Sequence, residues 1–170
     1  MGIGIPGSGK TTVLKKLADD YQYAYICPDD IRQELTGDIK DQSKNQEVWA
    51  EAYRRLEEFL GAGRTVVFDA TFANDLARKN CLDLARQYGA GKIQGIYIDL
   101  PLEVAKERNA SRERVVPEQV LERMHDSISS CPPSLLEGFD SVFTLDEFHR
   151  FVTAESKIDN KEIKKEFDLR

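Results

Sequence analysis

The chain has few of the residues that build metal or redox sites. Its 170 residues include three cysteines and two histidines. Cys27, Cys81 and Cys131 are far apart and lack the paired spacing of a zinc motif or a redox dithiol. His125 and His149 are isolated, so we expect them to be surface or packing residues. These spacings argue against the common cysteine- and histidine-based metal motifs.

Long apolar runs and an excess of positive charge are also lacking. No apolar run approaches the length of a membrane span, so no membrane partner is expected. The absence of a secretory hydrophobic region, together with the unpaired cysteines, predicts a reducing cytoplasmic location. The formal net charge of −6 argues against a protein that coats duplex nucleic acid, although it leaves room for a local basic groove.

Segments with strand and helix periodicity alternate along the chain, which predicts an α/β fold with a parallel sheet. We expect strands at 1–5, 23–27, 65–68, 93–100 and 141–145, and helices at 11–19, from 29, and at 45–60, 74–88, 101–109 and 117–129. One domain is expected over residues 1–154, followed by a charged C-terminal tail at 155–170. Because Met1 lies almost at a glycine-rich turn, either the first strand is short or the natural chain extends beyond it.

That turn carries a phosphate-binding motif. Gly4-Ile5-Pro6-Gly7-Ser8-Gly9-Lys10-Thr11 matches G-x-x-x-x-G-K-[ST] in full, after a strand and before a helix. Glycines let backbone N–H groups turn onto phosphate oxygens at the positive end of the helix. Lys10 is expected to neutralise the β- and γ-phosphates, and the Thr11 hydroxyl to bind Mg²⁺. The motif predicts a P-loop NTPase-type parallel sheet, with helices on both faces, that binds ATP or another NTP with Mg²⁺.

Two aspartates and an arginine follow the second strand, in Pro28-Asp29-Asp30-Ile31-Arg32. The carboxyl edge of a parallel sheet faces the same crevice as the phosphate loop. A carboxylate there can accept the proton of an attacking hydroxyl, and an arginine at i+3 can hold a phosphate. We expect Asp29 to be that base and Asp30 to cap the helix. The alternative interpretation is an ordinary helix cap with a surface arginine.

Two further segments complete the predicted site. Asp69 ends a buried strand, where its carboxylate can hold a Mg²⁺-bound water, and Thr71 is near enough in sequence to contact the acceptor. Residues 106–117 are rich in basic side chains within an acidic chain. Arg108 and Arg112 are four residues apart, so on a helix they share one face. We expect a helical lid that closes over the triphosphate; a strand-end turn and a solvated charged face are the alternatives.

These segments, in this order, resemble the polynucleotide 5′-kinases of the phage and bacterial end-healing type. The resemblance is carried by the phosphate loop through Thr12, by 28–32, by Asp69-Ala70-Thr71 and by 108–117, and it spans about residues 4–145. Members of that family often carry a phosphatase or ligase module, and none fits in this chain. We therefore expect either a stand-alone kinase or an excised domain.

The resemblance implies a role for each matched residue. Lys10 and Thr11 would contact phosphates and Mg²⁺, and Asp29 would be the general base. Arg32 would contact the acceptor or a phosphate, and Arg108 and Arg112 would be lid arginines on the triphosphate. The family often has Asn where this chain has Phe72, which weakens an acceptor contact inferred there.

Three functions follow as hypotheses. The first is transfer of the γ-phosphoryl group of ATP or another NTP to the 5′-hydroxyl end of RNA or DNA. The second keeps the chemistry but has a small-molecule acceptor of the antibiotic, sugar or toxin type. The third is a nucleotide-binding regulatory module, which Asp29 and Arg32 disfavour because a switch needs no acceptor base. RNA or DNA preference, the donor base and the oligomeric state stay open.

The predicted site residues fall into four groups. Catalysis is assigned to Lys10, Asp29, Arg32 and Arg112. Nucleotide binding is assigned to Gly7, Ser8, Gly9, Lys10, Thr11, Thr12, Arg108 and Arg112. Acceptor binding is assigned to Asp29, Arg32 and Thr71. Metal binding is assigned to Thr11 and, through water, Asp69.

Overall fold

The fold is that of a computed structural model, which describes residues 1–148 and residue 150. The strands are β1 Gly2–Ile3, β2 Ala24–Ile26, β3 Val66–Phe68, β4 Gln94–Tyr97 and β5 Ser141–Thr144. The helices are α1 Lys10–Tyr21, α2 Pro28–Thr36, α3 Asn45–Gly61, α4 Asp75–Gln87, α5 Leu102–Ala110 and α6 Glu118–Ser130, with a 3₁₀ turn at Leu135–Glu137. His149 and the predicted tail at 155–170 lie outside the described residues.

All strand pairs are parallel. β2 pairs with β3, and β4 lies between β1 and β5. A bridge between Gly2 and Asp69 joins the two groups, so the strand order is β2-β3-β1-β4-β5. The chain crosses from one side of β1 to the other after β3, which opens a crevice at the carboxyl ends of β1 and β3. The predicted parallel α/β fold is confirmed.

Helices cover both faces of the sheet. On one face, α3 and α4 pack around Ile26 and Phe68. On the other, Leu14 of α1 packs in a cluster with Val67 and Ile96. The neighbouring residues Val67 and Phe68 thus face opposite layers, as the alternation of side chains along a strand requires. Burial on both faces explains why β3 is apolar throughout.

The helices α5 and α6 form a pair beside the phosphate loop. Ala105 and Leu121 are fully buried in the cluster that they share. Lys106 of α5 lies 2.7 Å from carboxylate oxygens of both Glu118 and Glu122 of α6. Packing and ion pairs therefore connect the two helices, and the predicted lid corresponds to the end of α5 and the connection to α6.

The first and fourth strands are shorter than the predicted 1–5 and 93–100. At Gly4 the backbone leaves the sheet, and its N–H donates to the Thr71 carbonyl at 3.2 Å instead of to a strand partner. β4 ends at Tyr97, although Ile98 still donates to Ile3 at 2.9 Å. The turn of the phosphate loop therefore limits the length of the central strands.

The described residues include no helix with the length and apolar character needed to cross a membrane. His125 is partly buried on α6, with Nδ1 3.6 Å from an Asp126 carboxylate oxygen. Cys27 and Cys81 are buried, and Cys131 is exposed. The predicted cytoplasmic location remains a prediction.

Candidate active site

The phosphate loop connects β1 to α1. The helix begins at Lys10 with Gly9 as its N-cap, and neither a capping side chain nor an acidic residue occupies its first turn. The first backbone N–H groups of a helix lack partners within it, and the helix dipole makes this end positive. Gly9 has φ of 87°, which favours glycine. The start of α1 is therefore open to an anion.

The loop also contacts α5 closely. Gly7 has φ of 86°, and a Cβ on it would lie 2.4 Å from the carbonyl oxygen of Ala105 on α5. Only glycine fits there without moving α5. Ser8 is buried, and its Oγ has no hydrogen-bond partner among the described residues. A buried hydroxyl without a partner inside a phosphate loop fits a site whose remaining partner is a ligand.

Lys10 and Asp69 form an ion pair at the edge of the sheet. Lys10 Nζ donates to Asp69 Oδ1 at 2.7 Å, and Tyr25 Oη donates to Asp69 Oδ2 at 2.7 Å. The Asp69 side chain is 1% exposed. Burial alone would raise the pKa of this carboxyl. The charge and hydrogen bond of Lys10, with hydrogen bonds from Thr11 and Tyr25, instead hold the pKa of the carboxyl below its usual range.

The cluster around Asp69 fits a magnesium ion held mainly by its substrate. Among the described residues no group of three or more His, Cys, Asp or Glu side chains comes together. Mg²⁺ usually keeps several waters and binds through one or two protein groups plus substrate phosphates. Thr11, which is exposed next to the ionised Asp69, matches that pattern. Burial and the neighbouring Asp69 raise the pKa of Tyr25, so Tyr25 stays a hydrogen-bond donor.

Asp29 is held by two arginines. Arg32 Nη1 donates to Asp29 Oδ1 at 2.5 Å, and Arg114 Nη1 donates to the same oxygen. Arg32 Nη2 also donates to Asn45 Oδ1 at 3.0 Å. Arg32 is 3% exposed, so the alternative of a surface arginine is wrong. The predicted pair of Asp29 and Arg32 does come together, because i and i+3 adjoin on α2.

The prediction that Asp30 caps α2 is wrong. The helix begins one residue earlier than predicted, at Pro28, with Cys27 as its N-cap and no side-chain cap. Proline is favoured at the first helical position because its missing N–H has no helical partner there. Asp30 is exposed and does not line the cavity described below, whereas Asp29 does.

Arg108 and Arg112, the two predicted lid arginines, do not lie in the same helix. Arg108 is on α5, with Nη1 3.8 Å from where a Cβ on Gly9 would stand. Arg112 follows the C-cap Ser111, so the prediction that both arginines share one helical face is wrong. The chain turns at this point, with Arg112 N–H donating to the Asn109 carbonyl at 3.1 Å. As a result, Arg108 lies at the phosphate loop and Arg112 lines the cavity.

Asn109 fixes the path of the connection between α5 and α6. It is 4% exposed; its Nδ2 donates to the Val116 carbonyl at 2.8 Å, and the Val116 N–H donates to its Oδ1 at 3.1 Å. This pair of bonds closes residues 110–115 into a loop. The asparagine of the Arg-Asn-x-x-Arg segment therefore has a structural role, which places Arg112 and Arg114 over the cavity.

A cavity of about 850 Å³ lies between the phosphate loop, α2, α3 and the lid. Lys10, Thr11 and Asp69 line one part of it, and Asp29 and Arg32 line another. Its lining includes every residue predicted for acceptor binding: Asp29, Arg32 and Thr71. The cavity is of the size typical for small-molecule sites.

An aromatic group forms part of the cavity wall. Trp49 and Phe72 line it, with ring centroids 6.2 Å apart, and Phe68 packs 5.3 Å from Phe72. Phe72 has φ of 47°, which is unusual for a bulky residue. Its carbonyl accepts a hydrogen bond from Arg78 at 3.2 Å. Packing and this bond hold the ring in the wall, so Phe72 contributes apolar surface where an asparagine would offer an amide.

Several residues of this site were missed from the sequence: Tyr25, Asn45, Trp49, Asn109 and Arg114. Arg114 lies in the basic cluster that predicted the lid, so its charge was a signal, although nothing in the sequence indicated its partner. Asn45 is the first residue of α3, and Trp49 lies one turn later. Nothing local to that segment indicates that α3 faces the cavity.

Comparisons with known proteins bear on the family and on the fold. The profile of a family described as an AAA domain matches residues 1–130. The cytidylate kinase of Methanocaldococcus jannaschii is 29% identical over 129 residues, covering 71% of this chain and 67% of that protein. The structure of shikimate kinase from Bacteroides thetaiotaomicron is similar, with a TM-score of 0.58 and 15% identity over 99% of this chain and 97% of its own. A sugar kinase from Janibacter sp. HTCC2649 gives a TM-score of 0.55 and 21% identity over 91% and 90% of the two chains.

Proposed function

We propose that this chain, which belongs to the AAA domain family and is a P-loop kinase, transfers a γ-phosphoryl group to a small alcohol that carries an anionic group beside its hydroxyl. The observation that supports this most is the joint cavity. It brings the phosphate loop, the carboxylate of Asp29 and the buried Arg32 to one space.

The proposed reaction uses residues at both ends of the cavity. The first N–H groups of α1 and Lys10 would bind the triphosphate. Asp29 would take the proton of the acceptor hydroxyl as its oxygen attacks the γ-phosphorus, and the nucleoside diphosphate would leave. Mg²⁺, held by Thr11 and through water by Asp69, would neutralise charge on the phosphates. Arg112 would stabilise the charge of the transferred group.

The charge of the cavity favours an anionic acceptor. Its lining has a net charge of +2 within a chain of net charge −6. The basic residues are Lys10, Arg32, Lys40, Arg112 and Arg114, and the acidic ones are Asp29, Asp69 and Glu113. If Lys10 and Arg112 serve the triphosphate, Asp29 is left among three cations. Arginine binds carboxylates and phosphates through paired N–H donors, so this end suits an acceptor with either group.

The walls of the cavity favour a small acceptor over a polymer. The lid connection bounds the cavity on one side, and α3 with the segment before it bounds the other. The three named relatives are kinases of cytidylate, shikimate and a sugar. Our main interpretation of the sequence, a polynucleotide acceptor, is therefore second to the small-molecule alternative.

The 5′-hydroxyl end of RNA or DNA remains the second candidate because of Trp49. Its ring lines the cavity one turn of α3 after Asn45, which binds Arg32, and aromatic rings stack on nucleobases with little sequence preference. The next phosphate of a polynucleotide would then reach Arg32.

A panel of acceptors distinguishes the small anionic alcohol from the polynucleotide end. We expect labelled γ-phosphate to be transferred to anionic alcohols in preference to their neutral parents, because Arg32 gains a partner. The panel pairs a nucleoside 3′-monophosphate with its nucleoside and a hydroxylated carboxylic acid such as shikimate with its amide, alongside a free hexose and a 5′-hydroxyl oligonucleotide. The anionic member of each pair should have a kcat/KM about tenfold higher, the worth of one charge-assisted hydrogen bond.

The oligonucleotide decides the acceptor class. If it exceeds every small acceptor by about 100-fold in kcat/KM, which corresponds to roughly 2.8 kcal/mol, the polynucleotide candidate replaces the small-molecule one. Transfer to the neutral hexose alone would contradict the anionic requirement. Failure on the whole panel, with intact nucleotide binding, would count against phosphoryl transfer to alcohols.

Arg112→Ala should lower turnover more than stability. Arg112 is partly exposed in the lid connection, and we expect a loss of about 10²–10³-fold in kcat, near the lower end for arginines on a transferred phosphoryl group. Arg112→Lys should recover only part of it, because an ammonium cannot make the paired contacts of a guanidinium. Steady-state kinetics and thermal melts measure both effects. Arg123→Ala, at an exposed position of α6, is the matched control, and full activity of Arg112→Ala would leave the solvated charged face as the explanation.

A further inference from the structure

The contact between Arg114 and Asp29 joins the lid to the acceptor end of the cavity. The two residues are 85 positions apart, and Arg114 lies in the connection between α5 and α6. Their side chains are about a quarter exposed. Among the described residues, this is the one side-chain hydrogen bond that Arg114 makes, and it uses a single N–H of the guanidinium. The rest of the fork is available to a ligand.

Both arginines bind the same oxygen of Asp29. Arg32 and Arg114 donate to Oδ1, and within the described part of the chain no hydrogen bond ends on Oδ2. Arg32 is fixed from a second side by Asn45, whereas Arg114 is held at this end by Asp29 alone. Of the two ion pairs, the one with Arg114 is therefore the one that can exchange without unpacking a buried side chain.

Unused donors surround this pair. Arg32 Nε is buried and has no partner among the described residues, and Lys40 lines the same cavity from the segment between α2 and α3. A buried guanidinium N–H without a partner is costly unless a ligand or water completes it. Arg32, Arg114 and Lys40 together present enough N–H donors for a tetrahedral or planar anion.

We propose that Arg114 determines acceptor specificity by exchanging its ion pair with Asp29 for one with the acceptor's anionic group. This inference rests on the proposed function and adds the residue that recognises the anion. Without acceptor, Arg114 holds Oδ1 of the carboxylate. When a phosphate or carboxylate binds between Arg114, Arg32 and Lys40, Asp29 loses its contact with the lid and meets the hydroxyl beside that anion.

The exchange couples the base to the correct acceptor. With the acceptor bound, the hydroxyl proton passes to Asp29, the oxygen bonds to the γ-phosphorus, and the bond from that phosphorus to the β-phosphate oxygen breaks. Water could undergo the same step, giving inorganic phosphate and the nucleoside diphosphate. While Arg114 holds Oδ1 of Asp29, the carboxylate keeps the orientation of its ion pairs and is not turned towards the attacking oxygen, so hydrolysis without acceptor stays slow.

Anion binding tests the subsite without requiring transfer. Inorganic phosphate is the probe, titrated by calorimetry into protein saturated with Mg²⁺ and ADP so that the phosphate loop is already filled. The fluorescence of Trp49, the single tryptophan of the chain and part of the cavity wall, gives a second readout. Arg114→Gln should raise the Kd for phosphate about tenfold, and Arg114→Lys should raise it less. Arg123→Gln, exposed on α6, should leave it unchanged.

Kinetics separate this inference from the proposed function. In Arg114→Gln we expect about a tenfold rise in KM for a nucleoside 3′-monophosphate and no change in KM for the neutral nucleoside. The rate of NTP hydrolysis without acceptor should rise severalfold. Absence of phosphate binding to the wild type, or equal Kd values for wild type and Arg114→Gln, overturns the inference. Absence of transfer by the wild type to any alcohol overturns the proposed function, whatever the phosphate titration gives.

Discussion

Replacement of Lys10 by alanine is expected to reduce phosphoryl transfer by at least about 10³-fold, because one preorganised cation at the transferring phosphate is removed. Lys10 is the side-chain cation of the phosphate loop itself, and its Nζ already lies 2.7 Å from Asp69, where the metal is proposed to bind. Transfer of labelled γ-phosphate to the best acceptor of the panel measures the effect. A variant that kept near-normal turnover would force abandonment of the phosphate-loop assignment.

The same replacement should also destabilise the protein, which the motif alone does not indicate. The Lys10 and Asp69 side chains are 11% and 1% exposed, so alanine leaves a buried carboxylate without its counter-charge. Tyr25 still donates to Asp69, so we expect a loss of about 1–3 kcal/mol, below the usual cost of breaking a buried pair. Lys16→Ala, on the same helix, removes an exposed pair with Asp20 and should change stability far less, because water screens that pair.

The destabilisation expected for Lys10→Ala should depend on pH in one direction. The folded pKa of Asp69 is held below its ordinary value, so its ion pair contributes stability above the unfolded pKa, near 4. That contribution disappears as the pH falls through the lowered folded pKa. The difference in stability between wild type and Lys10→Ala should therefore shrink in acid, as measured by denaturant melts from pH 7 downward. A difference that stays constant would mean that alanine acts through packing rather than charge.

The parts of the site that depend on local geometry were predictable from the sequence. The phosphate loop follows from a contiguous motif whose glycines, including Gly7 and Gly9, have the positive φ that the motif requires. Asp29 and Arg32 meet because a helix places i and i+3 on one side. The contact of Asp69 with Lys10, 59 residues apart, is instead a consequence of the strand order, in which β1 and β3 are neighbours.

The parts that depend on packing between distant segments were not predictable. The contact of Arg114 with Asp29 requires the bend after α5, and that bend depends on the buried Asn109 and its bonds to Val116. The end of α5 also separates Arg108 from Arg112, which the four-residue spacing had placed on one face. The buried Arg78 is a further case. It donates to Glu137, 59 residues away, and to the carbonyl of Phe72, so this ion pair supports the segment at Phe72.

Asp29→Ala is expected to spare nucleotide binding and lower turnover by about 10²–10⁴-fold, the range for a positioned general base. Alanine also removes the counter-charge of the buried Arg32, so Asp29→Asn is the sharper variant: its amide oxygen can still accept from both arginines but cannot take a proton. We expect the two variants to have similar kcat values and the asparagine variant to be more stable. ADP titrations, kinetics and thermal melts on the same preparations measure all three quantities.

Asp30→Ala is the matched control, one residue further along α2. Asp30 has a pKa raised by partial desolvation and by its acidic neighbours, so chemistry alone would make it a suitable base. It does not line the cavity, however, so its removal should leave turnover near the wild-type value. As it lies in the first turn without capping α2, the loss of its interaction with the helix dipole should cost about 0.3–1 kcal/mol. The opposite ranking of the two variants in kcat would move the base to Asp30 and remove the reason for Arg114 to cover Asp29.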